Sequence, residues 1–317
     1  MKDFMSLLVK SHFLFFLFVF FSFIKLSYAD LTVVSLNTLH LGQDSSKVPN
    51  YIPSKYAYIK QNVVDKGDVT LLQEVMAKAD LSQIIPTNFT SFPNVISNTD
   101  LKGRSPTRGR GYVEAYATIV DPVEVEVVCR ISYTNSPGTP FAGLIRPPDA
   151  LLIKAKGLKS RPYIWLINLH AIWGRTVGGR VNELNTVIDF STTVLAQEKP
   201  SNLQSDCGIS GNNPVKNIIV AGDFNLTQKQ IYFHWKKNNY DQDWTVEVNA
   251  ETTINTSGNY SSNYDHFIIS NSLAKNRSLI LDASRLPTKS TQHNIHSEKD
   301  YRLRVSDHVG VKLTISD

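Results

Sequence analysis

The chain has 317 residues, 42% hydrophobic and 19% charged, with 2 cysteines and a formal net charge of +5. This is the composition of an ordinary globular protein with a sizeable core, and two cysteines exclude a disulfide-built scaffold. Residues 1–29 carry a net +2, leaving about +3, which permits a polyanionic partner without demanding one.

The first segment is for targeting. Lys2 and Lys10 precede an apolar run from Phe13 to Ile24, and Ser27-Tyr28-Ala29 supplies small residues where a signal peptidase cuts. The run spans 12 residues, short of the ~20 a membrane-crossing helix needs. The predicted organisation is a secretory signal over 1–29 and one domain over 30–317. The expected location is secreted or periplasmic, with no stable membrane insertion after cleavage. Cys129 and Cys207 suit a disulfide in an exported protein.

Along the domain, apolar strands alternate with amphipathic helices. Leu31–Leu36 reads as a strand ending at Asn37. Tyr56, Ile59 and Val63 mark a helix, and Asp68–Leu72 a strand ending at Gln73-Glu74. Val113–Val120 and Val123–Val128 read as adjacent strands turning at Asp121-Pro122. Ala150–Ala155 follows, then Tyr163–Leu169, which ends at His170. Val181, Leu184, Val187, Ile188, Val194 and Leu195 share one face of a long helix. Asn217–Ala221, Asp265–Ser270 and Val309–Thr314 complete the strands, and His293 to Arg302 reads as a loop. The fold class expected is α/β, two mixed sheets packed together with helices outside.

Asn37, Glu74, His170, Asp223 and Asn225 each follow an apolar strand at its C-terminal end, where a rigid scaffold gathers polar groups from distant sequence. His40 and His234 have no spaced partner and read as structural or exposed. His266, next to Asp265 on a strand, points to the opposite face.

The motifs Ser35-Leu36-Asn37, Leu72-Gln73-Glu74, Asn168-Leu169-His170, Gly222-Asp223-Phe224-Asn225, Tyr264-Asp265 and Ser306-Asp307-His308 occur in the order of the endonuclease/exonuclease/phosphatase superfamily, which the chain resembles over nearly its whole mature length. Within it, Gly109-Arg110-Gly111-Tyr112-Val113-Glu114-Ala115-Tyr116 and Ile145-Arg146-Pro147-Pro148 resemble the deoxyribonuclease I branch. The resemblance implies a four-layer sandwich of two packed mixed β-sheets flanked by helices. It also implies that Glu114 supports His170, that Asp265 supports His308, and that Tyr112 and Arg146 contact the phosphodiester backbone. Arg110 is a further candidate backbone contact, since it sits beside those motif residues. Met76 stands where that branch has a groove-entering arginine.

Phosphodiester hydrolysis needs an activated water, neutralised phosphoryl charge and a proton for the leaving group. Glu74 and Asp307 are hard donors suited to Mg²⁺ or Mn²⁺, with Asn37 and Asn225 as neutral supports and Ca²⁺ as a candidate structural ion. His170 and His308 exchange protons near neutral pH. Asp223 either binds metal or positions the attacking water, and the sequence leaves both open. The expected function is a secreted divalent-metal-dependent endonuclease cutting DNA with little sequence preference. The alternatives are a sphingomyelinase-type or phosphoinositide-directed phosphodiesterase or phosphatase, and a nuclease subunit like that of cytolethal distending toxin, whose partner subunits are unknown. A non-catalytic binding protein is disfavoured, because both histidines and the acidic site positions are present.

Overall fold

The computed structural model describes residues 30–42, 51–76, 79–96, 114–132, 144, 146–173, 176–195, 215–248, 250–276 and 278–317. Residues 1–29, expected as a signal, and Arg110, Tyr112 and Cys207 lie outside them. In chain order the elements are β1 (Leu31–Leu41), α1 (Tyr51–Asn62), β2 (Val69–Met76), β3 (Thr90–Ile96), β4 (Glu114–Val120), β5 (Val125–Ser132), β6 (Asp149–Ala155), β7 (Tyr163–His170) and α2 (Val177–Phe190). There follow β8 (Ile218–Asp223), α3 (Gln228–Trp235), β9 (Trp244–Glu247), β10 (Thr253–Ile254), β11 (Tyr260–Ser262), β12 (Asp265–Ser270), α4 (Asn271–Ala274), β13 (Ile280–Arg285), α5 (Glu298–Arg304) and β14 (Val311–Ser316).

Two six-stranded mixed sheets form, ordered β13-β14-β1-β2-β4-β3 and β5-β6-β7-β8-β12-β9, with β10 and β11 as a small ribbon. The parallel pairs are β1 with β2 and β7 with β8. Each pair is joined through a crossover segment that carries a helix, α1 in one case and α2 in the other. Strand alternation sends every second residue of the central strands into the space between the sheets. Leu31, Val33, Val69, Leu71 and Leu313 meet Ile153, Leu166, Ile219 and Phe267 there. The other face of the second sheet, with Trp165, Ile167 and Val220, packs on Leu184 and Ile188 of α2 and Ile231 and Trp235 of α3. The other face of the first, with Val34, Leu36 and Leu72, packs on Tyr56 and Ile59 of α1 and Tyr301 of α5. This is the four-layer sandwich the sequence predicts.

Two expectations need correction. β4 and β5 are not a hairpin: β4 pairs with β2 and β3 in one sheet, and β5 with β6 in the other. The Asp121 carbonyl accepts from Val125 N at 2.9 Å, one helical turn on, and its carboxylate accepts from Val123 N at 2.8 Å. That turn carries the chain across the core instead of reversing it. Residues 298–302, within the span read as loop, belong to α5. Ser297 caps it by accepting from Asp300 N, and acidic Glu298 and Asp300 begin it while basic Arg302 and Arg304 end it. Those charges complement the helix dipole. Cys129 on β5 is disulfide-bonded, and the chain has one other cysteine, Cys207.

The inward rows change character along their length. On β1 the row is Leu31, Val33, Ser35, Asn37; on β7 it is Ile164, Leu166, Asn168, His170; on β8 it is Ile219, Ala221, Asp223. β12 and β4 run antiparallel to their neighbours β8 and β2, so their rows enter the same end at Asp265 and Glu114. The inter-sheet layer is thus aliphatic at one end and polar at the other.

Candidate active site

Beneath the polar end lies a floor that ties the sheets together. Gln73 Nε2 of β2 donates to Asn168 Oδ1 of β7 at 2.7 Å and to Ser35 Oγ at 3.1 Å, and Asn168 Nδ2 donates to the Leu72 carbonyl at 3.1 Å. All three side chains are fully buried. The sequence quotes these residues in its motifs without a role. Their role is to satisfy polar groups where the core gives way to the site.

Above the floor stand two histidine–carboxylate pairs. His170 Nδ1 lies 2.5 Å from Glu114 Oε1, and His308 Nδ1 lies 2.9 Å from Asp265 Oδ2. A carboxylate only accepts, so each Nδ1 carries the hydrogen and each Nε2 is left to face the cavity. Both Nε2 atoms converge on one oxygen, Asp223 Oδ2, at 3.6 Å from His170 and 3.5 Å from His308. The pairings implied by the resemblance are therefore present as contacts.

Each support is itself held. Arg146 Nε donates to Glu114 Oε2 at 3.0 Å, and Arg146 Nη1 to the Ala171 carbonyl at 3.3 Å. Burial alone would raise the Glu114 carboxyl, but Arg146 and then His170 outweigh it and hold it well below the usual carboxylate range. Tyr116, two residues along the same face of β4, accepts from His170 N at 3.0 Å. For His308, burial would lower the imidazole, yet Asp265 and then Asp223 raise it well above an ordinary histidine. Ser306 Oγ donates to the Asn37 carbonyl at 2.6 Å and accepts from His308 N at 3.0 Å, so it fastens the Ser-Asp-His segment to β1.

Glu74 reaches the site through a backbone irregularity. Simple alternation would place it on the Leu72 face, toward α1. The β2 register breaks between Leu72 and Val75, and Glu74 takes a left-handed φ of 54°, which turns its carboxylate inward. Asn37 Nδ2 spends its two hydrogens on two acids, donating to Glu74 Oε1 at 3.2 Å and to Asp223 Oδ2 at 3.0 Å. Asn37 Oδ1 accepts from Leu39 N at 3.0 Å.

The donor set fits a hard divalent cation. Glu74 Oε2 is buried without a hydrogen-bond partner, as is Asp265 Oδ1, and a buried anionic oxygen left so calls for a counter-charge. Ligand atoms close enough to share an ion come from Glu74, Glu114 and His170, and from Asp223, Asp265 and His308. Asp307 belongs to neither group; Arg302 Nη1 holds it at 3.1 Å. Asn225 donates from its backbone N to Asp223 Oδ1 at 2.8 Å and from Nδ2 to the Ala171 carbonyl at 2.9 Å, so it shapes the loop behind Asp223.

Other candidates fall in different places. Arg146 faces inward on Glu114, its side chain 11% exposed. Met76 is buried opposite Glu114 in the β2–β4 register, so no groove contact is made from that position. His266 lies on the far face, against the Leu226 carbonyl at 2.9 Å, as alternation predicts. Two residues escape the sequence reading. His40 places Nε2 3.0 Å from Glu74 Oε2. Lys55 of α1 is 1% exposed and donates from Nζ to the Leu39 carbonyl at 2.8 Å. Burial pushes its ammonium down to about 7, against the pull of Glu74 and Asp307.

No family model and no curated protein matches the chain. Solved structures do. The chain is similar to ANGEL2, a 2′,3′-cyclic phosphatase, at 15% identity and TM-score 0.58 over 90% of this chain and 95% of that one. It is similar to TDP2 from Caenorhabditis elegans at 16% identity and TM-score 0.54 over 91% and 74%. An endonuclease/exonuclease/phosphatase family protein from Bacteroides thetaiotaomicron gives 16% identity and TM-score 0.54 over 91% and 98%. Likeness at these identities concerns the fold.

Proposed function

We propose that this chain, which has the deoxyribonuclease I-like fold of the endonuclease/exonuclease/phosphatase superfamily, is an exported, divalent-metal-dependent phosphodiesterase whose substrate is DNA cut with little sequence preference. One observation carries the chemistry: two buried His–carboxylate pairs aim their Nε2 atoms at the same Asp223 oxygen, beside the Glu74 carboxylate, whose Oε2 accepts no hydrogen bond. A phosphoryl group seated there meets an acceptor for a water proton and two donors for its oxygens.

Glu74 would hold Mg²⁺ or Mn²⁺, which neutralises phosphoryl charge when bound. Asp223 Oδ2 orients the attacking water and takes its proton as the P–O bond to the water oxygen forms. His170, when doubly protonated, donates from Nε2 to a non-bridging phosphoryl oxygen while its Nδ1–H stays fixed on Glu114. His308 Nε2 gives its proton to the departing alkoxide as the opposite P–O bond breaks, and its raised pKa keeps that proton in place at neutral pH.

The pH dependence has a definite sign. A protonated His308 is required, so activity falls as pH rises through its raised pKa. Asp265→Asn removes the strongest of the charges that raise it, and the alkaline limb of kcat should move to lower pH. A pH–rate profile of that variant that coincides with the wild type would remove His308 from the acid role.

Without residues 1–29 the net charge of about +3 permits a polyanion, and TDP2 from D. rerio has been crystallised with a single-strand DNA product. The second reading, a lipid phosphodiester, has Trp173 in its favour. It lies three residues after His170, is 76% exposed, and is of a type that settles at membrane interfaces. Among the described residues no helix is long and apolar enough to cross a membrane. The test is cleavage of plasmid DNA and of sphingomyelin or phosphoinositide vesicles, each with Mg²⁺ or Mn²⁺ and with EDTA. DNA cleavage abolished by EDTA is expected. Intact plasmid beside hydrolysed lipid would replace DNA as the substrate and leave the metal chemistry standing.

A further inference from the structure

His40 Nε2 and Glu74 Oε2 lie 3.0 Å apart, yet the carboxylate oxygen is fully buried without a hydrogen-bond partner. The two atoms approach each other without the alignment of a donor and an acceptor. Two donors at ~2.1 Å from one cation, at right angles to each other, stand ~3.0 Å apart, which is the spacing seen. We infer that His40 is a nitrogen ligand of the metal held by Glu74, and that it tilts the site toward a first-row transition ion such as Mn²⁺ over Mg²⁺. This rests on the metal-dependent reading above.

The backbone delivers the imidazole to that point. Leu39 and His40 are both left-handed, at φ 46° and 58°, a conformation side chains rarely adopt twice in succession. Leu39 is clamped from both ends: its N–H donates to Asn37 Oδ1 at 3.0 Å, and its carbonyl accepts from the buried Lys55 Nζ at 2.8 Å. This irregularity lies within β1, where the register with β2 shifts between Asn37 and Leu41, so position 40 leaves the simple alternation of the strand. The ligand chemistry follows from the donor type. First-row transition ions, Mn²⁺ least strongly among them, accept an imidazole nitrogen more readily than Mg²⁺, which prefers oxygen and retains its waters.

The test is calorimetric titration of the purified protein with Mn²⁺ and separately with Mg²⁺, on wild type, His40→Gln and Glu74→Gln, each checked for folding by circular dichroism. Loss of a support around a metal ligand already costs about 10–100-fold in affinity, so loss of the ligand itself should weaken Mn²⁺ by at least ~10-fold. His40→Gln should therefore lose Mn²⁺ affinity on that scale while Mg²⁺ stays within about 2-fold. Unchanged Mn²⁺ binding in His40→Gln, or an equal fall for both ions, overturns the nitrogen ligand. Glu74→Gln should lose both ions; if it binds both as wild type does, the metal reading fails together with the inference. If His40→Gln does not fold, the nitrogen hyperfine coupling of Mn²⁺ bound to the His170→Ala variant decides: the coupling of a directly bound imidazole supports ligation, and its absence refutes it.

Discussion

His170→Ala and His308→Ala are each expected to lower phosphodiester cleavage by about 10²–10⁴-fold, the range for losing a positioned acid or base. Neither change should unfold the protein. Truncating His170 leaves Glu114 paired with Arg146 at 3.0 Å, so the buried carboxylate keeps its strongest partner. Truncating His308 leaves Asp265 with its backbone N–H held by Thr252 Oγ1 at 3.0 Å, at the edge of an intact β12. The double variant should be little worse than the worse single one, because both rings serve one reacting phosphoryl group and such effects are far from additive. Single-turnover rates with saturating metal make the comparison. Near wild-type turnover in either single variant would show that its ring stands beside the chemistry and takes no part in it.

Much of the fold can be read in the chain because the inward rows of its strands follow the period of two. The passage Leu31, Val33, Ser35, Asn37 shows an aliphatic row turning polar, and Ile164, Leu166, Asn168, His170 repeats it. Those two rows mark the same end of the same layer. What the sequence hides lies where the period breaks. Glu74 reaches the site only through a register break and a left-handed φ, so simple alternation puts it on the wrong face. His40 is hidden for the same reason: it and Leu39 before it are both left-handed, and nothing in Thr38-Leu39-His40 announces this. Lys55 reads as one polar residue of a helix, and only tertiary packing shows its ammonium under the Leu39 carbonyl. At the β4–β5 turn Asp121-Pro122 marks a reversal locally, whereas the sheet each strand joins depends on partners far along the chain. The helical residues 298–304 were legible in their cap and charges, though not in apolar periodicity, since Tyr301 is the buried side chain the helix carries.

Gly222→Ala is expected to be the most damaging alanine substitution among the described glycines. Gly222 has φ 145°, a region side chains avoid, and a Cβ built there would sit 1.8 Å from the Leu169 carbonyl oxygen. That oxygen belongs to the neighbouring strand, since Leu169 is the register partner of Gly222 in the parallel β7–β8 pair. Backbone cannot rotate aside as a side chain does, so β8 must part from β7 at their C-terminal ends. The strained φ alone costs about 1–3 kcal/mol, and the steric displacement adds to it, for a total on the order of 4 kcal/mol or more. The injury also falls on the site. His170 and Asp223 are the next register partners, and the 3.6 Å approach of His170 Nε2 to Asp223 Oδ2 depends on the two strand ends staying paired. Activity should therefore be lost even under conditions where the variant is folded. Gly178→Ala in the first turn of α2 is the matched control. Its Cβ would meet nothing within 4 Å, and replacing a helical glycine gains up to about 1 kcal/mol. Urea midpoints with unchanged slope measure both effects. Equal midpoints for the two variants would mean that Gly-Asp-Phe-Asn needs its glycine for no steric reason, and that β7 and β8 tolerate a separation this packing forbids.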